Sequence, residues 1–213
     1  MKTAERVLAT SLELFNYHGE SSVTSVDIAN EMDISPGNLY YHFKGKELIV
    51  DALFDIHIHQ FERLLDVRNI DALTLEEYFY YLYLLLEQIH LYRFLYRSPM
   101  DLMEKYPKVA KNLVRLVKLL EAKLESVLTL AQQREFLTLS DNELKSLVEM
   151  MSLTIIQSSQ YYQLKGDVDD GHQIYSTLAL LLALLSPRMR VPVENLAELQ
   201  QQLSLHGFTR GNT

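Results

Sequence analysis

The side chains best suited to chemistry in this chain stand close together: Gly37, Asn38, Tyr40, Tyr41 and His42. They are small or planar, rich in hydrogen-bond donors and free of carboxylates. That set suits non-covalent contact with phosphates and base edges better than bond making. Leu39 and Phe43, four residues apart, mark the opposite, inward side of the same short helix. Groups that could make or break bonds are dispersed. His57 and His59 are two apart, so a helix points them to different sides and they cannot share a metal. There is no phosphate-binding glycine loop, no nucleophile elbow and no paired histidines around a glutamate. No catalytic site, metal or cofactor is expected.

The elements that must position the polar group are written just upstream. Thr24 is set to cap a helix, with Asp27 three residues on completing a capping box. Ile28, Ala29 and Met32 give that helix one apolar face, and Asp33-Ile34 makes a turn. Ser35 is the next N-cap, and Pro36 sits at the first helical position, where its missing N–H costs nothing. A further helix opens near Lys46. Two short helices joined by a tight turn, the second with a polar outer face, make a helix-turn-helix. Before it, Ala4, Val7, Leu8, Leu12 and Phe15 repeat at helical spacing, and His18-Gly19 ends that helix.

Composition bounds the rest. The chain has 213 residues, 48% of them hydrophobic, enough to bury a core without staples. It has no cysteine, which excludes disulfides and thiolate metal sites and fits a reducing, cytoplasmic compartment. Glu5, Arg6 and Glu13 in the first helical stretch are unlike a signal peptide, and no uncharged apolar run reaches the roughly 18 residues of a membrane span. The formal net charge is −8, and the first 48 residues hold only Lys2, Arg6, Lys44 and Lys46 as cations. A nucleic-acid surface here must therefore rest on a few placed contacts rather than a broad positive field, and its affinity should fall at modest salt.

The stretch SPGNLYYHFKGKELIVDAL resembles the recognition helix and following helix of the TetR family of transcriptional regulators, and VLATSLELFNYHGESSVTSVDIANEMDIS is similar to that family's first two helices. The resemblance covers residues 4–56 and rests on Phe15, Gly19, Thr24, Ala29, the Leu-Tyr-Tyr-His-Phe run and Lys46. One departure falls in the turn, where Asp33 stands at a position that is commonly Gly because the backbone must be left-handed; Asp tolerates that region better than most residues. The resemblance implies an all-α protein: a DNA-binding head over 1–47, an effector-binding and dimerisation body over 48–206, and a tail over 207–213. It implies that Thr24, Ser25, Tyr41, His42, Lys44 and Lys46 hold phosphates, that Gly37, Asn38 and Tyr40 face the major groove of a double-stranded operator, and that Ser35 and Pro36 also lie among the DNA-binding residues. The corresponding function is a repressor, released by a small molecule; the alternative is a helical scaffold for small molecules or proteins with no operator of its own.

Beyond residue 56 the period stays near 3.6. Long helices are predicted over 74–97, 108–134, 142–165 and 171–186, with short ones over 100–105 and 194–205. The first long helix and its surroundings are dense in aromatic and thioether side chains, Tyr78 and Tyr81 among them. Phe79, Tyr83, Phe94, Met100 and Met103, with Arg97, Gln157 and Tyr161 as further candidates, are expected to line a pocket for an apolar or aromatic effector, against ordinary core as the other reading. Residues 150–164 and 173–186 carry no charge, so those two helices must be covered on all sides. They are either a central core pair or half of a four-helix bundle made with a second copy. The resemblance implies the second, with Ser152, Ile155, Ser159, Tyr162, Leu178, Ala179, Leu182 and Ala183 at the interface of a homodimer.

Overall fold

The computed structural model describes residues 2–66, 74–166, 169–190 and 201. Among these the protein is built of helices: α1 (Thr3–His18), α2 (Ser25–Glu31), α3 (Pro36–His42), α4 (Lys46–Leu65), α5 (Leu75–Leu91), α6 (Phe94–Arg97), α7 (Pro99–Lys105), α8 (Pro107–Gln133), α9 (Asp141–Leu164) and α10 (Asp170–Leu185). A single antiparallel bridge, Leu137 with Met189, is the one β pairing among the described residues. No described helix is long and apolar enough to cross a membrane. The helix expected over 194–205 and the tail over 207–213 lie outside the described residues, save Gln201.

Packing makes two compact units. The first takes residues 1–60 and 92–114 and so contains the whole of the expected head, together with α6, α7 and the start of α8. Its core joins Phe15 and Val7 of α1, Ile28 and Ala29 of α2, Leu39 of α3 and Ile49, Leu53 and Phe54 of α4. Phe94 also belongs to it, its ring 5.3 Å from that of Phe15. His57 is fully buried on α4, bonds the Tyr96 hydroxyl through Nε2 at 2.6 Å and lies 4.7 Å from the Tyr92 ring; burial pushes its pKa down to about 3. His59, two residues on, is exposed, as helical geometry requires.

One helix differs from expectation. The predicted run over 74–97 is interrupted at Tyr92-Arg93. The Phe94 N–H leaves the helical ladder to bond Asn16 Oδ1 at 3.1 Å, and Leu95 and Tyr96 instead bond the carbonyls three residues back. A long-range partner therefore replaces a local one. The two prolines that end helices in the sequence also begin them, since Pro99 and Pro107 each occupy the opening position of the next.

The second unit takes residues 61–91 and 115–213, and in it α10 packs on α9 and α5. Here the residues expected at the interface divide between the two sides of their helices. Ser152, Ile155, Ser159 and Tyr162 of α9, and Leu178 and Leu182 of α10, are buried within the subunit's own core, where Ser159 Oγ meets Gln173 at 3.3 Å. Only Ala179 and Ala183 face out. Both helices also have an uncharged outer face. Met150, Leu153, Tyr161 and Leu164 line the outer side of α9 at helical spacing, and Leu180 stands beside Ala179 on α10. Leu153 is 64% and Leu164 89% exposed.

Candidate nucleic-acid interface

The helix-turn-helix forms for the reasons written in its sequence. Thr24 Oγ1 accepts from the Asp27 N–H at 3.2 Å, and the Asp27 carboxylate accepts from the Thr24 N–H at 2.7 Å. These bonds hold the Asp27 carboxyl below the usual carboxylate range, led by the Thr24 side chain. Asp33 has φ 54°, the left-handed conformation the turn demands. Ser35 Oγ accepts from the Asn38 N–H at 3.2 Å, and Pro36 opens α3. Leu39 is buried and fixes which side of α3 looks outward.

That outward side carries most of the expected group. Ser35, Pro36, Gly37, Asn38, Tyr40, Tyr41 and Lys44 are exposed, Tyr41 by 82%, and His42 and Ser25 are half-buried. The Tyr41 ring stands edge-on to His42 at 5.3 Å. Gly37 leaves the α3 surface open, for a side chain there would meet only Ser35 Oγ, 4.0 Å away. Among the described residues the Asn38 amide and the Tyr40 and Tyr41 hydroxyls are left without partners, so they are donors and acceptors held ready.

Two members of the expected phosphate set are already bonded within the chain. Thr24 Oγ1 accepts from Asp27 and also donates to its Oδ2 at 2.7 Å, so this hydroxyl has nothing left to give a phosphate. Ser35 differs, since its hydroxyl only accepts and keeps its hydrogen. Lys46 spends its ammonium indoors, donating to the carbonyls of Glu20 and Val23 at 2.9 and 2.8 Å and pairing with Glu20 Oε1 at 2.8 Å. An ammonium has three hydrogens, so Lys46 reaches a phosphate only by giving up one of these bonds. The acceptor Glu20 was not legible as a functional residue, because its partners lie far along the chain.

The expected effector residues fall in both compact units. Phe94, Arg97, Met100 and Met103 belong to the first unit, and Phe79, Tyr83, Gln157 and Tyr161 to the second. Phe94 is core, and Met100 is 71% exposed. Phe94 and Arg97 border a cavity of 170 Å³ with His18, Ser22, Asp101 and Leu102. In the second unit Phe79 is buried, Tyr83 stacks on Tyr80, lies tilted against Tyr175 and donates to Glu87 at 3.0 Å, and exposed Tyr161 lies under the Lys165 ammonium. More informative are Tyr78 and Tyr81, whose hydroxyl oxygens are buried with no hydrogen-bond partner; burial raises both phenol pKa values. Among the described residues no group of three His, Asp or Glu side chains stands close enough to hold a metal.

Comparison with known proteins decides the family. The family model described as "Bacterial regulatory proteins, tetR family" matches residues 7–53, and that described as "Bacterial transcriptional repressor" matches residues 58–195. The chain belongs to the TetR family. A TetR-family transcriptional regulator from Marinobacter aquaeolei VT8 superposes with a TM-score of 0.84 at 25% identity, covering 95% of this chain and 99% of that one. The ketosteroid transcriptional regulator KstR2 of Mycobacterium tuberculosis shares the fold, with a TM-score of 0.70 at 20% identity over 89% of this chain and 96% of its own. The HTH-type transcriptional regulator QacR of Staphylococcus aureus is 31% identical over 80 residues, 38% of this chain and 43% of QacR. YerO of Bacillus subtilis, an uncharacterized HTH-type regulator, is 39% identical over 54 residues, 25% of this chain and 19% of its own. The matches thus span less than half of these curated relatives. In this TetR-family chain α2 and α3 are the helix-turn-helix.

Proposed function

We propose that this protein is a transcriptional repressor in the cytoplasm that binds a palindromic operator as a homodimer, laying α3 in the major groove and leaving DNA when a small molecule binds its body. One observation carries the reading: Asn38, Tyr40 and Tyr41 point outward as unpartnered polar groups while Leu39 pins the other side of their helix. Asn38 is the side chain suited to a base edge, and Tyr41, His42, Ser35 and Lys44 are suited to phosphates. The exposed amine and guanidinium of Lys2 and Arg6 add charge at the start of α1. No reacting step is assigned to any residue, and the protein is read as non-enzymatic.

The outer face of α9 and α10 supports the dimer. An uncharged stripe of Met150, Leu153, Tyr161, Leu164, Ala179, Leu180 and Ala183 is unlike an ordinary solvated helix surface. It fits a two-fold contact with a second copy. The inward residues of the same helices hold the subunit together instead.

Support for an effector comes from Tyr78 and Tyr81. A buried hydroxyl without a partner costs about 1–3 kcal/mol, so two on one helix are better explained by a bound molecule that satisfies them than by packing alone. The effector is read as apolar or aromatic with at least one hydrogen-bonding group. To weaken operator binding a hundredfold it must favour the non-binding state by about 2.7 kcal/mol.

The test is operator selection from random-sequence DNA followed by anisotropy titrations of Asn38→Ala and Tyr41→Phe. Asn38→Ala should relax preference at one base position by about 1–3 kcal/mol, whereas Tyr41→Phe should weaken all sequences alike. If both variants keep wild-type affinity and preference, α3 is not the reading surface.

A further inference from the structure

The groups that the α3 face does not use converge on one buried carboxylate. Glu20 opens the short 3₁₀ turn Glu20–Ser22 between α1 and α2, and its side chain is 4% exposed. Its Oε1 receives Lys46 Nζ at 2.8 Å and the Tyr106 hydroxyl at 2.5 Å, and Oε2 receives Lys105 Nζ at 3.2 Å. Burial by itself would raise the carboxyl pKa; the bonds from Lys46 and Tyr106, the Lys46 charge and the Lys105 bond outweigh it and hold the group ionised. Lys46 completes the arrangement by donating to the carbonyls of Glu20 and Val23, and Val23 directly precedes the N-cap of α2. One side chain thus ties together the entry to the helix-turn-helix, the first residue of α4 and the C-terminal end of α7.

Stability alone is a poor reason for such a cluster. Desolvating a carboxylate and an ammonium costs several kcal/mol, and well-packed apolar residues commonly replace buried ion pairs without loss. What the cluster offers is a specific arrangement, since four donors, from Lys46, Tyr106, Lys105 and the Ser21 hydroxyl at 3.5 Å, must meet two oxygens. A displacement of α7 by about 1 Å would stretch the bonds from Lys105 and Tyr106 to or beyond hydrogen-bonding length. The helix-turn-helix must then follow α7 or lose its hold.

We infer that Glu20 is a positioning residue for operator binding: it touches no DNA, but through Lys46 and Tyr106 it sets the angle at which α2 and α3 are presented relative to α4 and α7. The inference rests on the operator-binding reading above. It gives α7 a defined handle on the reading surface, so any body movement that shifts α7 acts on DNA binding through this carboxylate.

The experiment uses the full chain and an operator selected from random-sequence DNA by the wild type. Affinity for that operator and for a scrambled duplex is measured by anisotropy for wild type, Glu20→Gln, Tyr106→Phe and the double variant, with circular dichroism confirming the fold. The readout is the ratio of operator to scrambled affinity, which loss of stability in a still-folded protein does not move. Glu20→Gln should lower this ratio about tenfold and Tyr106→Phe about threefold, and the double variant should be no worse than Glu20→Gln, because coupled groups are not additive. A lowered melting temperature with a ratio within about twofold of wild type would make Glu20 merely structural and overturn the inference. Should Glu20→Gln fail to fold, Tyr106→Phe decides alone by the same ratio. A wild type that prefers no sequence at all sinks the operator-binding reading, and Glu20's role with it; a wild type that prefers one while its variants match it sinks only the inference.

Discussion

His57 should make this protein acid-sensitive in a defined way. Its imidazole is fully buried on α4 against Tyr92 and Tyr96, and burial moves its pKa from 6.5 down to about 3. The folded state therefore keeps it neutral where the unfolded chain would protonate it. With the folded value depressed, the unfolded state binds more protons between about pH 3 and 6.5, so stability rises with pH across that window and is lost as pH falls through it. Each unit below 6.5 costs about 1.4 kcal/mol, or about 2 kcal/mol at pH 5 relative to pH 7.5. The matched variant is His57→Gln, which can still bond the Tyr96 hydroxyl but does not titrate. Urea unfolding of both proteins from pH 7.5 to pH 5 should show wild type losing about 2 kcal/mol more than the variant, because every other titrating group is common to both. Parallel pH profiles, differing by a constant offset, would refute the assignment of a neutral buried imidazole.

Three further outcomes follow from particular contacts. Tyr78→Phe and Tyr81→Phe should leave effector-free stability unchanged or raise it by up to about 1 kcal/mol in denaturant titrations, since each removes an unpaired buried hydroxyl; a loss above about 1 kcal/mol would mean the hydroxyls have partners after all. Leu153→Glu or Leu164→Glu on the exposed face of α9 should give monomers in sedimentation, whereas Ile155→Ala should cost about 2–5 kcal/mol of stability and leave the mass of the assembly unchanged; a full-mass dimer from both glutamate variants contradicts the proposed interface. Lys46→Met should destabilise by about 1–3 kcal/mol and leave the salt dependence of DNA binding within about 0.3 of its slope, because its three hydrogens are already bonded to Glu20 and Val23; a slope shallower by about 0.9 per subunit would show Lys46 on a phosphate.

What was legible in the sequence was local. Thr24 with Asp27, Ser35 with Pro36, and Asp33 in a left-handed turn each specify their own few residues of backbone, and each appears as its residue type demands. The α3 face was legible for the same reason, because Leu39 sets the inward side of a short helix; Phe43, expected beside it, is the half-buried C-cap. The interruption at Tyr92-Arg93 was hidden, since the group that takes the Phe94 N–H is Asn16, 78 residues earlier. Glu20 was hidden likewise, with partners 26 and 86 positions away. The α9 and α10 faces could not be sorted because both sides of each helix are uncharged, so periodicity gave no sign of which side the subunit covers itself. Aromatic density marks burial without saying which rings share a wall, so the sequence left the effector residues open between pocket and core.

The most direct test is a stoichiometric titration of the selected operator at several salt concentrations. Two chains should bind each duplex, with half-sites about one helical turn or more apart. With Lys2, Arg6 and Lys44 as the exposed cations of each head, log affinity should fall against log salt with a slope of about −5. A single chain per duplex, or equal affinity for the operator and a scrambled sequence at low salt, would contradict the claim that paired α3 faces read DNA.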